Sequence, residues 1–239
     1  MSALTIGSVC SGIGGLELGL ERAGLGPTRW QIEIDPRARA VLEQHWPNAT
    51  RLEDLRIVAA RASELADVDI ICGGTPCQDL SSAGRRAGLR GARSGLWFDM
   101  LEIVRAKLPA FVVWENVAGS IRRGLDVVVG GLRDVGYQVV GTRLSAADTG
   151  APHERERVFV VAHLDRAREP QPQRQVGEVG GRPDDVPRWP PPPDVPRVVH
   201  GFPGRVDRER ALGNSVVPAQ AEVVGWLIRD IAAGRVSLS

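Results

Sequence analysis

Two short apolar runs each end in a glycine-rich turn, and that repetition constrains this chain more than any other feature. Leu4-Thr5-Ile6-Gly7-Ser8-Val9 leads into Cys10-Ser11-Gly12-Ile13-Gly14-Gly15, and Leu16 to Ala23 then carries the apolar spacing of a helix that stops at Gly24. Val68-Asp69-Ile70-Ile71-Cys72, β-branched and bounded by turn residues, leads into Gly73-Gly74-Thr75-Pro76-Cys77-Gln78. Strand, glycine turn and helix form an opening suited to a nucleotide or cofactor, because glycines let the backbone approach a ligand closely. The turn is not a clean G-x-G-x-x-G, so a tight turn without a ligand stays open as an alternative. Cys77, held between a proline and an amide where a buried strand ends, sits where open α/β sheets place their chemistry. A thiol there is open to activation as a thiolate nucleophile; the alternative is a small buried hydrophobe.

The 239 residues leave room for one α/β domain with a small addition. Hydrophobic content of 43% and charged content of 25% fit a soluble globular chain, and no apolar run is long enough to span a bilayer. The N-terminus lacks a signal-peptide pattern, and Cys10, Cys72 and Cys77 lack metal-ligand spacing. A reducing, cytoplasmic setting with no metal site and no membrane partner is therefore expected. A net charge of +1 neither demands nor excludes nucleic acid, since a local patch outweighs the total. Of the thirty basic residues all but Lys107 are arginine, which suits bidentate phosphate and base contacts and equally fits a genomic bias.

Arg29-Trp30-Gln31-Ile32 reads as the second strand, ending at Glu33, about twenty residues beyond the glycines, where α/β cofactor folds accept hydrogen bonds from ribose hydroxyls. Pro36 to Trp46 reads as a helix, and Glu53-Asp54-Leu55 closes a third short element, with Asp54 suited to an adenine amino group. Each acid alone is equally a solvated loop carboxylate; with the glycine turn they favour an adenosine-containing ligand. Asp79 to Gly95, rich in Gly, Ser and Arg, reads as a loop. Gly95 to Lys107 places Leu96, Met100, Ile103 and Val104 on one helical face. Phe111-Val112-Val113-Trp114 is the next strand, with Glu115-Asn116-Val117 at its end. A carboxylate there is placed for acid–base work, unless it only serves a following helix. Leu125 to Val135 reads as a helix, and Gly136 to Val140 and Val158 to Ala162 as strands. Between those strands, alternation puts Arg155 and Arg157 on one face of an extended segment, as a site for an anionic or carbonyl-rich ligand or as a charged edge. Asp165 to Pro196 is rich in Pro, Arg, Gly and Gln and reads as an extended insert. Ala219 to Ala233 forms a final helix with Val223, Val224, Leu227, Ile228 and Ile231 as its apolar face.

Six blocks, in this order, resemble the DNA (cytosine-5) methyltransferase family. They are Cys10-Ser11-Gly12-Ile13-Gly14-Gly15, Glu33-Ile34-Asp35, Gly74-Thr75-Pro76-Cys77-Gln78, Glu115-Asn116-Val117, Arg155-Glu156-Arg157 and Gly213-Asn214-Ser215-Val216-Val217-Pro218. The likeness covers Leu4 to His163 and Pro196 to about Leu227. It implies an α/β, Rossmann-like S-adenosylmethionine-dependent methyltransferase fold: a mostly parallel seven-stranded sheet with one antiparallel strand, plus a small irregular recognition segment. It also implies a catalytic and cofactor-binding domain over 1–164, a short recognition segment or linker over 165–196, and a C-terminal block over 197–239 that packs back on the first. The implied cofactor is S-adenosyl-L-methionine, with S-adenosyl-L-homocysteine as product. Ser11, Gly12, Ile13, Gly14, Gly15, Glu33, Ile34, Asp54, Leu55, Pro76, Asn214 and Ser215 would surround it. The implied chemistry is methylation of cytosine C5 in double-stranded DNA through a covalent bond from Cys77 to C6, on a base flipped out of the helix. Glu115 would act on N3, Asn116 would position it, and Arg157, with Arg155 nearby, would bind the cytosine carbonyl. Gln78, Ser81, Arg85, Arg86, Arg90 and Arg93 would meet the DNA from a closing loop. A monomer is expected, with a restriction endonuclease as a candidate associate.

Three departures accompany the resemblance. His153 stands where the family commonly has Gln, and Thr75 is a family variant. Only Asp165 to Pro196 is available where relatives carry a substantial recognition domain, and no Thr follows Thr149 to supply their Thr-containing signature. A catalytically impaired, DNA-binding relative of the same fold is therefore the rival reading. A nicotinamide-dependent oxidoreductase would share the glycine turn and Glu33 but would need neither Cys77 nor Glu115.

Overall fold

A computed structural model describes residues 4–75, 95–122, 124–164 and 215–237. Seven strands form one sheet: β1 (Ile6–Val9), β2 (Thr28–Ile32), β3 (Thr50–Leu52), β4 (Ile70–Gly73), β5 (Phe111–Val117), β6 (Gln138–Leu144) and β7 (Arg157–His163), in the order β3-β2-β1-β4-β5-β7-β6. The first five are parallel; β7 runs antiparallel to both β5 and β6, so it is the reversed strand expected near the C-terminal edge. The helices are α1 (Gly15–Arg22), α2 (Pro36–His45), α3 (Leu55–Ala59), α4 (Leu96–Lys107), α5 (Leu125–Val135) and α6 (Pro218–Ala232).

Central strands are buried on both faces, which is why they read as continuous apolar runs. Alternate residues divide between two cores. Ile71, Val112, Trp114, Val160 and Ala162 join Leu55 of α3, Trp97 and Met100 of α4, and Val128 and Leu132 of α5. Ile70, Cys72, Phe111, Val113, Phe159 and Val161 join Leu16 and Leu20 of α1 and Val224, Leu227 and Ile228 of α6. The α4 stripe is wider than Leu96, Met100, Ile103 and Val104: Trp97 and Leu101 are buried with it, while Leu96 is half-buried. The apolar face expected for the final helix is the one that packs.

β6 runs over Gln138–Leu144 where Gly136 to Val140 was expected, and two further differences bear on the site. β5 does not stop at Trp114 but continues to Val117, because Glu115, Asn116 and Val117 pair with Phe159, Val158 and Arg157 of β7. Asp54 does not merely close the third strand; it caps α3, its side chain accepting from Arg56 N at 2.9 Å.

Parallel strands end along one edge, and there α/β sheets bind ligands. The turn after β1, Glu33 after β2, Asp54 after β3, Thr75 after β4 and Glu115 near the end of β5 all lie on that edge. β7 runs the other way, so its first residue, Arg157, opposite Val117, reaches the same edge.

Candidate active site

The glycine turn is built from left-handed residues. Cys10, Gly12 and Gly14 have φ of 51°, 56° and 87°, a region that costs a side chain of ordinary chirality. Ser11 N donates to Ile32 O at 3.2 Å and Gly14 N to Ser11 O at 3.0 Å, which fixes the loop over the end of β2. Gly12 N donates to Glu33 Oε2 at 2.7 Å, and Asp35 N donates to Glu33 Oε1 at 2.9 Å. The Glu33 carboxylate therefore sits directly over the turn. Nothing stands within 4 Å of where a Gly12 Cβ would be, so that face is open. Ile34, 67% exposed, presents an apolar side chain at the same opening. Ile13 is half-buried, Leu55 buried and Asp54 half-buried. The C-terminal block closes in from behind: a Cβ on Gly15 would stand 2.2 Å from Val216 O and 2.7 Å from Ser215 Oγ.

A second cluster forms farther along the edge. Trp114 Nε1 donates to Thr75 Oγ1 at 2.9 Å and Asn116 Nδ2 donates to Thr75 O at 2.6 Å, so Thr75 is pinned at both side chain and backbone. Asn116 Oδ1 accepts from Val117 N at 2.8 Å, which sets the amide's orientation. Glu115 Oε1 pairs with Arg157 Nε at 2.9 Å, and Oε2 lies over Gly74, where a Cβ would stand 2.7 Å away. Burial pushes the Glu115 carboxyl up to about 7, with Arg157 and then Arg155 pulling against it. Arg155 is itself drawn down by burial and by the charge of Arg157, and drawn back by Glu115, so the three groups act as one cluster. Arg155 Nη2 donates to Ser215 O at 2.8 Å and ties the cluster to the block before α6.

Four residues outside any motif shape these sites. The Trp46 ring packs on Gly14, where a Cβ would stand 2.3 Å from Cζ3, and its Nε1 donates to Glu21 Oε2 at 2.9 Å. Arg39 Nη1 donates to Glu33 O and Ile34 O, each at 2.9 Å. Buried Gln220 donates from Nε2 to Leu144 O at 2.8 Å and Arg155 O at 2.9 Å, joining α6 to β6 and to the arginine segment. Asp99 of α4 is pushed up chiefly by burial and further by Asp54, which puts a second carboxyl near Asp54. A polar residue in the first turn of an apolar helix was the one available signal for Gln220; the other three depend on long-range packing.

Pro76, Cys77, Gln78, Ser81, Arg85, Arg86, Arg90, Arg93, Asn214 and the segment 165–196 lie outside the described residues. Among the described residues, no His, Cys, Asp and Glu group suits a metal ion, and no helix is long and apolar enough to cross a membrane.

The family model for C-5 cytosine-specific DNA methylases matches residues 4–180. The Type II methyltransferase M2.BsuMI of Bacillus subtilis (strain 168) is 34% identical over 66% of this chain and 41% of its own length. The Type II methyltransferase M.Bsp6I of Bacillus sp. (strain RFL6) is 32% identical over 66% of this chain and 51% of its own. The chain thus spans about half or less of the length of these relatives. Among solved structures, a DNMT2 mutant from Spodoptera frugiperda superposes with a TM-score of 0.57 at 20% identity, covering 77% of this chain and 57% of that one. The S. pombe Dnmt2 methyltransferase gives 0.56 at 22%, covering 77% and 59%. Identities this low speak for the fold alone.

Proposed function

Because the chain belongs to the C-5 cytosine-specific DNA methylase family, we propose that it methylates cytosine C5 in double-stranded DNA through a covalent Cys77–C6 adduct, using S-adenosyl-L-methionine. The observation that carries this reading is the pinned strand end: Thr75, two residues before Cys77, is fixed by Trp114 and Asn116 beside the Glu115–Arg157 pair.

The residues at the glycine turn fit the methyl donor. Left-handed glycines leave an open face at Gly12, and each Glu33 oxygen accepts one backbone hydrogen bond, so lone pairs remain for ribose hydroxyls. Ser11, Gly12, Ile13, Gly14 and Gly15 would line the chain of the cofactor, Ile34 and Leu55 would flank adenine, and Asp54 would accept from its amino group. Pro76, Asn214 and Ser215 would complete the pocket. When bound, the cofactor supplies an electrophilic methyl group and leaves as S-adenosyl-L-homocysteine.

Cytosine C5 is too poor a nucleophile for such a methyl group until C6 carries an adduct. The Cys77 thiolate forms the S–C6 bond, and the displaced electron pair makes C5 enamine-like. Glu115, with its proton held up to about neutral pH, donates to N3 as charge develops there. Arg157 binds the cytosine carbonyl, with Arg155 beside it, and Asn116 holds the strand end on which Glu115 stands. After C5 takes the methyl group, its proton passes to water, the returning electron pair expels the Cys77 thiolate, and N3 gives its proton back to Glu115. A stacked base is inaccessible to this machinery, so the cytosine is flipped out, and Gln78, Ser81, Arg85, Arg86, Arg90 and Arg93 meet the surrounding DNA. The Type II relatives make a restriction endonuclease a candidate associate of a monomeric, cytoplasmic enzyme.

Trapping tests this reading. Incubation with cofactor and 5-fluorocytosine DNA should give a denaturation-resistant adduct, because fluorine does not leave C5 as a proton does. Cys77→Ala should bind cofactor and trap nothing; undiminished trapping by that variant would sink the assignment. Cofactor binding by the wild type without methylation would favour the impaired relative.

A further inference from the structure

Beneath the glycine turn lies a polar patch that the proposed chemistry leaves unused. Ser8 of β1, Ser11 of the turn, Glu17 of α1 and Gln31 of β2 are each more than nine-tenths buried. Ser11 Oγ donates to Ser8 Oγ at 2.9 Å, and Gln31 Nε2 lies 3.4 Å from Glu17 Oε1 as its donor. Two oxygens of the patch, Glu17 Oε2 and Gln31 Oε1, are buried without a hydrogen-bond partner among the described residues. Both are acceptors while Glu17 is ionised, and a buried carboxylate without a cation is costly.

Among the described residues, no cation offsets it. Facing Glu17 are Ser8 from β1, Ser11 from the turn and Gln31 from β2; the Cys72 thiol of β4 is pushed up by burial and then by Glu17 itself. Glu21, farther along α1, is another acid acting on the same thiol. Of the charged groups of α6, Glu222 lies beside Arg22 and Arg229 donates to Ala23 O at the C-terminal part of α1, and Asp230 pairs with Arg235. Burial accordingly raises the Glu17 carboxyl, against the pull of the hydroxyls and the amide. A single proton on Oε2 would answer both orphans, turning Glu17 Oε2 into a donor for Gln31 Oε1 beside the existing contact from Gln31 Nε2 to Glu17 Oε1.

We propose that Glu17 is held as a neutral acid in a reciprocal pair with Gln31, and that this pair, through Ser8 and Ser11, positions the glycine turn for the methyl donor. The positioning role rests on the reading of that turn as the cofactor site; the acid–amide pair does not. Glu17 is a positioning residue, since it acts through Ser11 rather than on the donor.

Carbon-13 NMR of protein labelled at the glutamate carboxyls tests the pair in the free chain, and calorimetry with S-adenosyl-L-methionine tests the role. The wild type should show a glutamate carboxyl still protonated at neutral pH, absent in Glu17→Gln and retained in both Glu115→Gln and Glu222→Gln, which remove the other two raised glutamates. Glu17→Gln, able to pair amide to amide, should bind cofactor within about twofold of wild type. Glu17→Leu strands the Gln31 amide and should bind roughly tenfold more weakly, while Glu17→Leu with Gln31→Leu, in which neither partner is left unpaired, should recover much of that loss. Titration of Glu17 in the ordinary carboxylate range would overturn the pair, and wild-type affinity in a folded Glu17→Leu would overturn the positioning role. A wild type with the protonated signal but no affinity for the donor would overturn the cofactor reading, and with it that role, leaving the pair intact.

Discussion

Glu115 is caught between burial, which favours its proton, and Arg157 at 2.9 Å, which favours its charge; burial prevails and the carboxyl titrates at about 7. As the proposed acid toward N3 it would have to hold a proton, so methylation should decline as pH rises through about 7. Glu115→Gln should lose that limb of the profile and turn over roughly a hundredfold or more slowly, with cofactor affinity unchanged, whereas Glu33→Ala should weaken cofactor binding. The same residue makes a stability prediction. Its folded value lies above the usual 4.5, so the folded chain holds a proton that the unfolded chain releases. That contribution is present below 4.5 and is lost as pH climbs through about 7. Melting temperatures of Glu115→Gln relative to wild type should therefore rise across that interval, and a difference independent of pH would contradict the raised carboxyl.

Among the elements, α1 and α6 meet where small residues remove side-chain bulk. A Cβ on Gly19 would stand 2.3 Å from Pro218 O and 2.4 Å from Ala221 Cβ, and one on Gly225 2.4 Å from Ala23 Cβ. Backbone oxygen cannot yield as a flexible side chain does, so Gly19→Ala must force the helices apart, at roughly 1–3 kcal/mol despite the better helix propensity of Ala. Because α1 begins at Gly15, directly after the glycine turn, cofactor affinity should fall with the melting temperature. Gly130→Ala in α5, where nothing lies within 4 Å, should instead raise the melting temperature, by up to about 1 kcal/mol of stability. Calorimetric melting of the two variants separates close packing from propensity. At this scale periodicity exposed most of the fold. Strands buried on both faces and an amphipathic α6 leave plain apolar patterns, and the glycine turn and Glu33 are local signals. Local signals fall short where partners are distant: Glu115 and Asn116 are poor strand formers, and only pairing with β7 extends β5 through them. The five-residue α3 is too short for a period, though Asp54 was its cap signal. Nothing local marks Trp46 against Gly14 or Trp114 on Thr75.

For the molecule as a whole, β7 ends at His163 and α6 begins at Pro218, and the proposed activity would draw on the interval between them to read DNA sequence. Base discrimination needs side chains held rigidly at base edges, and each good bidentate contact contributes roughly 1–3 kcal/mol. The stretch 165–196 is rich in proline and poor in apolar residues, a composition that orders few such groups by itself. Arg166, Arg168, Arg174, Arg182 and Arg188 are its candidate contacts, and contacts to phosphate would position DNA without specifying it. A short or degenerate target context, roughly two to four base pairs, is therefore expected. Affinity should fall steeply with salt while sequence preference stays modest, because phosphate contacts release counterions and read no bases. Replacing 165–196 with a Gly/Ser linker should weaken DNA binding and leave cofactor affinity intact, since the turn, Glu33 and α6 lie outside it. Base-resolution 5-methylcytosine mapping of DNA from cells expressing the chain reads the context directly. A single strict site of about six base pairs, methylated by the isolated chain, would require more ordered base contacts than this segment is argued to supply, and would overturn the expectation.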